Sequence, residues 1–218
     1  MQTDLVERFT NLFVEDDPTG PPVGTGVAPA WVPKTPIFEA FMHVVKQSYD
    51  QGALRFLPVS GSPNLADANG PNGWLSSWPQ TTLGLWVFAY DWLGRPYGFN
   101  RGRTLGGEPT ISRLDVGSGK VLDADVGFST FVSDLLVEQR EEVLALDFFR
   151  EWLDVAGRPL RPTECVGLRV PRFLGGRDEV ANIEITSVRV YLDLTGQLAS
   201  QTATFKSGQS VTGVDIQR

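Results

Sequence analysis

The segment DVGSGKV (115–121) contains a Gly-Lys pair of the kind found in phosphate-binding loops. A complete loop of that type needs a glycine five residues before Gly119 and a serine or threonine after Lys120. This chain has Leu114 and Val121 at those positions. The glycines instead predict a tight turn that joins two short strands. We therefore expect no nucleotide-phosphate chemistry from this segment.

His43 is the one histidine of the chain, and it follows Glu39 by four residues on the polar side of a predicted helix. A protein metal site needs three or four ligands, and the one cysteine, Cys165, lies far along the sequence in an apolar strand. A Ser-His-Asp system would have to use His43, and the sequence has no nucleophile elbow. We expect a solvated histidine, a buried inert thiol, and neither a metal nor a cofactor.

Asp123 and Asp125 stand two residues apart on a predicted strand, so both side chains point to the same face. Paired carboxylates can perform acid–base chemistry. Two aspartates on a strand surface more often face water, and no other motif indicates catalysis. We therefore predict that the chain is not an enzyme.

The segment PRFLGGRDEVAN (171–182) places two adjacent glycines and a charged cluster directly before a predicted strand. Gly175 and Gly176 can adopt backbone geometry that other residues resist. Asp178 can cap free N–H groups of the turn that follows, and Asn182 can close that turn from its other end. The pattern fits a structured loop, and it also fits a loop that contacts a partner, because binding residues concentrate on loops.

Composition limits the classes of partner. The chain has 218 residues, of which 41% are hydrophobic and 21% charged, and it carries a net charge of −7. Phosphate binding needs a basic surface, so we expect no direct contact with nucleic acid, whereas a basic protein partner is allowed. A single cysteine excludes a disulfide framework. The N-terminus lacks the pattern of a signal peptide and the longest apolar run (83–90) is too short to span a bilayer, which predicts a cytoplasmic protein without a membrane partner.

Hydrophobic periodicity predicts an α+β fold in which a mostly antiparallel sheet packs with helices. Strands are predicted at residues 54–59, 85–91, 95–100, 110–115, 120–125, 164–170 and 183–194, the last with a phase slip typical of a β-bulge. Helices are predicted at residues 4–13, 36–50, 128–138 and 146–157. A Pro/Gly-rich arm separates the first two helices, and the tail (200–218) fits one more edge strand.

Four blocks together resemble one bacterial protein family. They are AYDWLGRPYGFN (89–100), LDVGSGKVLDADVGFSTFVSDLLVE (114–138), DFFREWL (147–153) and ECVGLRVPRFLGGRDEVANIEITSVRVY (164–191). The family is the GAD-like domain followed by the C-terminal domain of type VI secretion immunity proteins, which neutralise a secreted DNase toxin and are broadly similar to the SUKH superfamily. The resemblance covers roughly residues 38–200 and keeps the block order.

The resemblance implies a SUKH-like or GAD-like immunity fold, and with the N-terminal segment that it does not cover, we expect three parts. Residues 1–35 form an N-terminal helix and the Pro/Gly-rich arm, residues 36–103 the GAD-like part, and residues 104–218 the immunity protein C-terminal domain. We expect the last two parts to form one continuous body. The chain departs from the family pattern at Arg172, where leucine is commoner, and at Ser187, where aspartate is expected.

The function implied by the resemblance is a non-enzymatic immunity protein that binds a cognate toxin, a nuclease of a type VI secretion system. An inhibitor with a net charge of −7 suits the basic cleft of a nuclease. The alternative is a cytosolic protein- or ligand-binding module of the same fold that has no toxin partner. The candidate contact residues are Arg177, Asp178 and Glu179 in the loop, Glu15, Asp16 and Asp17 in the arm, and the groove-lining candidates Trp74 and Trp78.

Overall fold

The computed structural model of the protein describes residues 2–26, 35–78 and 84–203. A six-stranded antiparallel sheet pairs its strands in chain order, from β1 at one edge to β6 at the other. A separate two-stranded antiparallel sheet contains β7 and β8. The strands are β1 Ser48–Tyr49, β2 Leu54–Phe56, β3 Leu85–Asp91, β4 Pro96–Leu105, β5 Glu108–Asp115, β6 Lys120–Gly127, β7 Glu164–Leu168 and β8 Ile183–Ser187. The predicted α+β class with a mostly antiparallel sheet is thus confirmed.

Helices precede, interrupt and follow the strands. They are α1 Gln2–Leu12, α2 Pro36–Met42, α3 Leu65–Asn69, α4 Phe128–Thr130, α5 Arg140–Val143, α6 Leu146–Ala156 and α7 Val188–Thr202. The helix α4 continues directly into a π-helix over Phe131–Glu138. Short 3-10 turns lie at Asp50–Gly52, Arg172–Leu174 and Val180–Asn182.

An aromatic cluster holds the first helices against the large sheet. The Phe38 ring of α2 lies edge-on to the rings of Phe99 and Phe128, with centroids 5.0 and 5.1 Å apart. The Phe9 ring of α1 lies 5.2 Å from Tyr49 and 5.7 Å from Phe56. Each of these rings is almost fully buried. Aromatic side chains bury large apolar areas and favour such edge-to-face pairs, so α1 is part of the hydrophobic core.

Several hydrogen bonds connect the first half of the chain to the second. The buried Arg55 guanidinium donates to the carbonyl oxygens of Leu160 at 2.9 Å and Glu164 at 3.0 Å. The indole of Trp92 donates to the Leu144 carbonyl at 2.7 Å. The backbone N–H of Val166 in β7 donates to the Trp92 carbonyl at 2.6 Å. The proposed division at about residue 103 remains a prediction, but its two parts share a core.

The single strand predicted at 183–194 is wrong. The strand β8 ends at Ser187 and the helix α7 begins at Val188. The buried residues of α7 recur at helical spacing, and they are Val188, Tyr191, Leu192, Thr195, Gly196 and Ala199. The phase slip therefore marked the change from strand to helix and not a bulge. The valines at the start of α7 favour strands, and so the helix was not predicted. The predicted tail strand (200–218) is wrong at its start, because α7 runs to Thr202, and residues 204–218 lie outside the described ranges.

The helix predicted at 36–50 is also too long, because α2 ends at Met42. The arm that precedes it competes for its carbonyl groups. The N–H of Gly24 donates to the Met42 carbonyl at 2.7 Å, and the N–H of Val23 donates to the Val45 carbonyl at 2.9 Å. These bonds satisfy carbonyls that a longer helix would have used internally, so the chain turns and enters β1.

Candidate functional site

The loop between β7 and β8 (171–182) has an internally determined shape. Gly175 has a φ of +89°, which side-chain-bearing residues rarely adopt. The Asn182 amide donates to the carbonyls of Val170 and Arg177, both at 2.9 Å, and accepts from the Val170 N–H at 3.1 Å. The prediction that Asn182 closes the turn is confirmed.

Arg172 ties this loop to the turn between β5 and β6. Its guanidinium donates to the carboxylate of Asp178 at 2.5 Å and also to the carboxylate of Asp115. The N–H of Phe173 donates to the Gly117 carbonyl at 3.1 Å. Within the described ranges, the Asp178 carboxylate bonds this guanidinium and not the backbone N–H groups that we expected it to cap. Charge-assisted hydrogen bonds on both sides of one guanidinium hold the loop in place.

The three predicted contact residues of the loop are all exposed. The side chain of Asp178 is half exposed and paired with Arg172. In the part of the chain that the structure describes, Arg177 and Glu179 have no ion-pair partner. The loop therefore presents one positive and one negative side chain to solvent from a fixed backbone.

The acidic residues of the arm are held in two ways, Glu15 through its backbone and the next two through their carboxylates. Glu15 pairs with Tyr49 through an isolated β-bridge. The Asp16 carboxylate accepts from the Ser48 hydroxyl at 2.5 Å and from the Gln51 N–H at 2.6 Å. The Asp17 side chain closes a local turn, and the bond from the Thr19 hydroxyl is the main cause that lowers its pKa. The carboxylates of Asp16 and Asp17 are therefore fixed; residues 27–34 of the arm lie outside the described ranges.

The structure places Trp74 and Trp78 in the core. Their exposed fractions are 3% and 4%, so they offer a partner almost no side-chain surface. The Trp74 ring packs edge-on against Tyr90, with centroids 5.3 Å apart. The Trp78 indole donates to the Leu192 carbonyl of α7 at 2.8 Å. Both indoles have packing roles here, and neither lines an open groove.

The segment 115–121, Cys165 and His43 were the candidates for phosphate, thiol and metal chemistry. The segment 115–121 is the β5–β6 turn, where Asp115 pairs with Lys120, which confirms the predicted hairpin. Burial raises the pKa of the Cys165 thiol well above its usual range. His43 is exposed. Within residues 2–26, 35–78 and 84–203, no three His, Cys, Asp or Glu side chains are grouped so that they could hold a metal ion.

The two aspartates of β6 share one cation. Arg103 bonds the carboxylate of Asp123 at 2.9 Å and that of Asp125 at 2.7 Å. A hydrogen bond from the Ser112 hydroxyl is the main cause that lowers the pKa of Asp123. Both carboxylates are thus paired on the surface of an edge strand, an arrangement that protects such strands from pairing with other chains.

Sequence reasoning missed an acidic surface on α5 and α6. Residues 138–154 contain six acidic and two basic residues, a net charge of −4 within a chain of −7. Arg150 pairs with Glu141 at 2.5 Å and with Asp147 at 2.6 Å, while the exposed Glu151 and Asp154 have no ion-pair partner among the described residues. The signal was present as acidic residues on the polar faces of two successive helices.

Comparisons with known proteins support one family. Residues 125–199 match the family model of the T6SS immunity protein Tdi1, C-terminal. No curated protein matches the chain. The crystal structure of Atu4351 from Agrobacterium tumefaciens matches with a TM-score of 0.47 and 14% sequence identity, over 69% of each chain. Among the helices that the structure describes, none has the length and apolar character needed to cross a membrane. The resemblance to type VI secretion immunity proteins is thereby confirmed over residues 125–199, from the end of β6 into α7.

Proposed function

We propose that this protein is an immunity protein that binds and neutralises a cognate toxin of a type VI secretion system, and that the toxin is a nuclease. The observation that carries the proposal is the family match over residues 125–199. That range contains α6, β7, the loop 171–182 and β8. The protein acts as a binder and not as an enzyme. Residues 36–103 fit the GAD-like part of such proteins.

Electrostatics favours a basic partner. A nuclease binds phosphate, so its cleft is basic, whereas this chain has a net charge of −7. Opposite net charges accelerate association and orient the two proteins before contact. Because a nuclease acts on DNA in the cytoplasm, its inhibitor acts there as well, and one buried cysteine suits that reducing compartment.

The loop 171–182 is the first candidate contact. It lies inside the family-matched range and is rigid before binding, which reduces the entropy lost on association. Its exposed charges belong to Arg177, Asp178 and Glu179. The second candidate is the acidic arm with Glu15, Asp16 and Asp17.

Co-expression with the product of the adjacent gene tests the function. We expect a stable complex after affinity purification and the loss of DNA cleavage by the partner in a nuclease assay. A harmless neighbour, or a partner that cleaves DNA equally well with and without this protein, would overturn the proposal. A cytosolic binding module without a toxin would then be the remaining interpretation.

Charge reversal tests the loop. We expect Asp178→Lys with Glu179→Lys to weaken toxin binding, because both changes remove negative charge from the proposed interface. Since Asp178 also bonds Arg172, the single change Glu179→Lys separates contact from loop structure. Glu7→Lys with Glu39→Lys is the matched control, because both are exposed acids on α1 and α2 and the charge change is the same. If the loop and control variants all bind like the wild type and circular dichroism shows them folded, the contact lies elsewhere.

A further inference from the structure

A groove separates the N-terminal arm from the segment that precedes β7. It encloses 560 Å³ and has walls from residues 16–25, 46–51, 58–60 and 159–162. This volume is in the range of ligand-binding clefts in general. Five of its lining residues are prolines, whose rings restrict the backbone φ and so limit movement of the walls: Pro21, Pro22, Pro58, Pro159 and Pro162.

The lining has more acceptors than donors. Proline offers a carbonyl oxygen but no N–H, and Asp16 and Asp17 add two carboxylates. Lys46 is the cation of the lining, and its ammonium group donates to the Gly20 carbonyl at 2.6 Å. A guanidinium group suits these walls, because it carries five N–H donors in a plane that also stacks on flat apolar groups.

Asp17 is a preorganised anion in this groove. Its Oδ1 accepts from the Thr19 N–H at 3.1 Å, the Thr19 hydroxyl at 2.7 Å and the Gly20 N–H at 3.1 Å. Its Oδ2 accepts no hydrogen bond from the residues that the structure describes. Hydrogen bonds from Thr19 and Gly20, with the charge of Lys46, lower the pKa of this carboxylate; one oxygen is fixed by the turn and the other is available to a partner.

The opposite side of the groove is rigid. Asp50, Gln51 and Gly52 have φ values of 51°, 60° and 90°, and the first two are unfavourable for residues with side chains. The Gln51 N–H donates to Asp16 at 2.6 Å, and the Leu160 N–H donates to the Gln51 carbonyl at 3.2 Å. These bonds connect the arm, the strained turn and the segment 159–162 into one fixed cleft.

The two walls of the groove come from different parts of the chain. Residues 159–162 lie inside the family-matched range 125–199, whereas the arm lies outside it. A partner loop seated between them would contact both the family-matched part and the arm. Such a cleft can discriminate the cognate toxin from related toxins.

We infer that this groove receives an arginine-bearing loop of the toxin, and that Asp17 binds the guanidinium group. The inference rests on the proposed function and names a contact for it. The charge complementarity of fixed carboxylates and a basic nuclease, together with the rigid acceptor-rich walls, supports this occupant over an apolar segment.

Two variants test the groove with the full chain and the co-purified toxin. Asp17→Asn keeps an amide oxygen for the Thr19 and Gly20 bonds and removes the charge, so we expect unchanged thermal stability and a Kd at least about tenfold higher. Ser60→Trp places a large side chain at the exposed rim and should weaken binding similarly. Asp154→Asn, an exposed change on α6 with the same loss of charge, is the control and should bind much more tightly than Asp17→Asn.

Hydrogen exchange of the complex provides an independent measurement. We expect toxin binding to protect amides in residues 16–25 and 46–51. If the complex forms but both groove variants bind like the wild type and these amides are not protected, the groove inference is overturned while the immunity function stands. If wild-type protein binds no neighbouring toxin at all, the proposed function fails first and the inference fails with it.

Discussion

Gly175 and Gly176 in the loop 171–182 are glycines for different physical reasons. At Gly175 the backbone is left-handed with a φ of +89°, and the surrounding space is open. At Gly176 a Cβ atom would lie 1.7 Å from the Val170 carbonyl oxygen. At Gly175 the backbone conformation disfavours a side chain, whereas at Gly176 there is no space for one. Together they bring the loop backbone close enough to Val170, two residues after β7, for Asn182 to bridge it.

We therefore expect unequal costs for two neighbouring substitutions. Gly175→Ala should lower the free energy of unfolding by about 1–2 kcal/mol, the cost of a left-handed alanine. Gly176→Ala should cost more, about 3 kcal/mol, because the backbone itself has to move. Urea unfolding of both variants measures the difference. Equal costs, or a larger cost at Gly175, would contradict this explanation of the loop.

At the residue scale, the sequence predicted the local turn of the loop but not the long-range bonds that attach the loop to the rest of the fold. The glycine pair and Asn182 predicted a structured turn, because their backbone preferences are local properties. The bond between Arg172 and Asp115 joins positions 57 residues apart, and no local pattern states which distant carboxylate a guanidinium will meet. The one signal was the departure from the family pattern, since arginine at 172 replaces the commoner leucine.

At the element scale, α7 is docked by a side chain from the first half of the chain. The Trp78 indole donates to the Leu192 carbonyl, and Gly196 lets the helix approach: a Cβ atom there would lie 2.7 Å from the Trp78 ring. The Ser200 hydroxyl donates to the Ser77 carbonyl at 2.8 Å. The helix that completes the family-matched range is therefore positioned by the segment before residue 79.

Trp78→Phe tests this docking. It keeps an aromatic ring but removes the N–H donor, so we expect a loss of about 1–3 kcal/mol in the free energy of unfolding. Trp74→Phe is the matched control, because this buried indole makes no hydrogen bond to other described residues. Denaturant unfolding followed by circular dichroism gives both values. A Trp74 variant as unstable as the Trp78 variant would show that ring volume, and not the hydrogen bond, holds α7.

The bounds of β3 and α6 were predicted closely, whereas the end of α2 and the start of α7 were not. The strand β3 was predicted with its observed bounds, 85–91, because its aromatic and β-branched run is buried along its whole length. The end of α2 depended on carbonyls captured by Val23 and Gly24 of the arm, a tertiary effect. The start of α7 was hidden because Val188 and Val190 favour strands in isolation, whereas burial at helical spacing decided the outcome.

At the scale of the whole molecule, the parts before and after about residue 103 share buried contacts. Arg55 lies buried on β2, where its guanidinium donates to two carbonyl groups of the second half and lies over the Tyr90 ring at 5.7 Å. The Trp92 ring stacks with Trp152 of α6, with centroids 6.1 Å apart. Separating the halves would expose these rings and leave a buried cation and several carbonyls without partners. Each of those losses costs free energy, so neither half has a complete core of its own.

We therefore expect residues 36–103 and 104–218, expressed separately, to remain unfolded, and the full chain to unfold in one transition. Tryptophan fluorescence reports the surroundings of the six tryptophans, including Trp92, and far-ultraviolet circular dichroism reports the helices. In urea the two signals should change at the same denaturant concentration. Arg55→Met should shift both midpoints together to lower urea, because its removal leaves the Leu160 and Glu164 carbonyls without their donor. Two separated transitions, or a dispersed NMR spectrum from residues 104–218 alone, would establish independent domains and contradict the shared core.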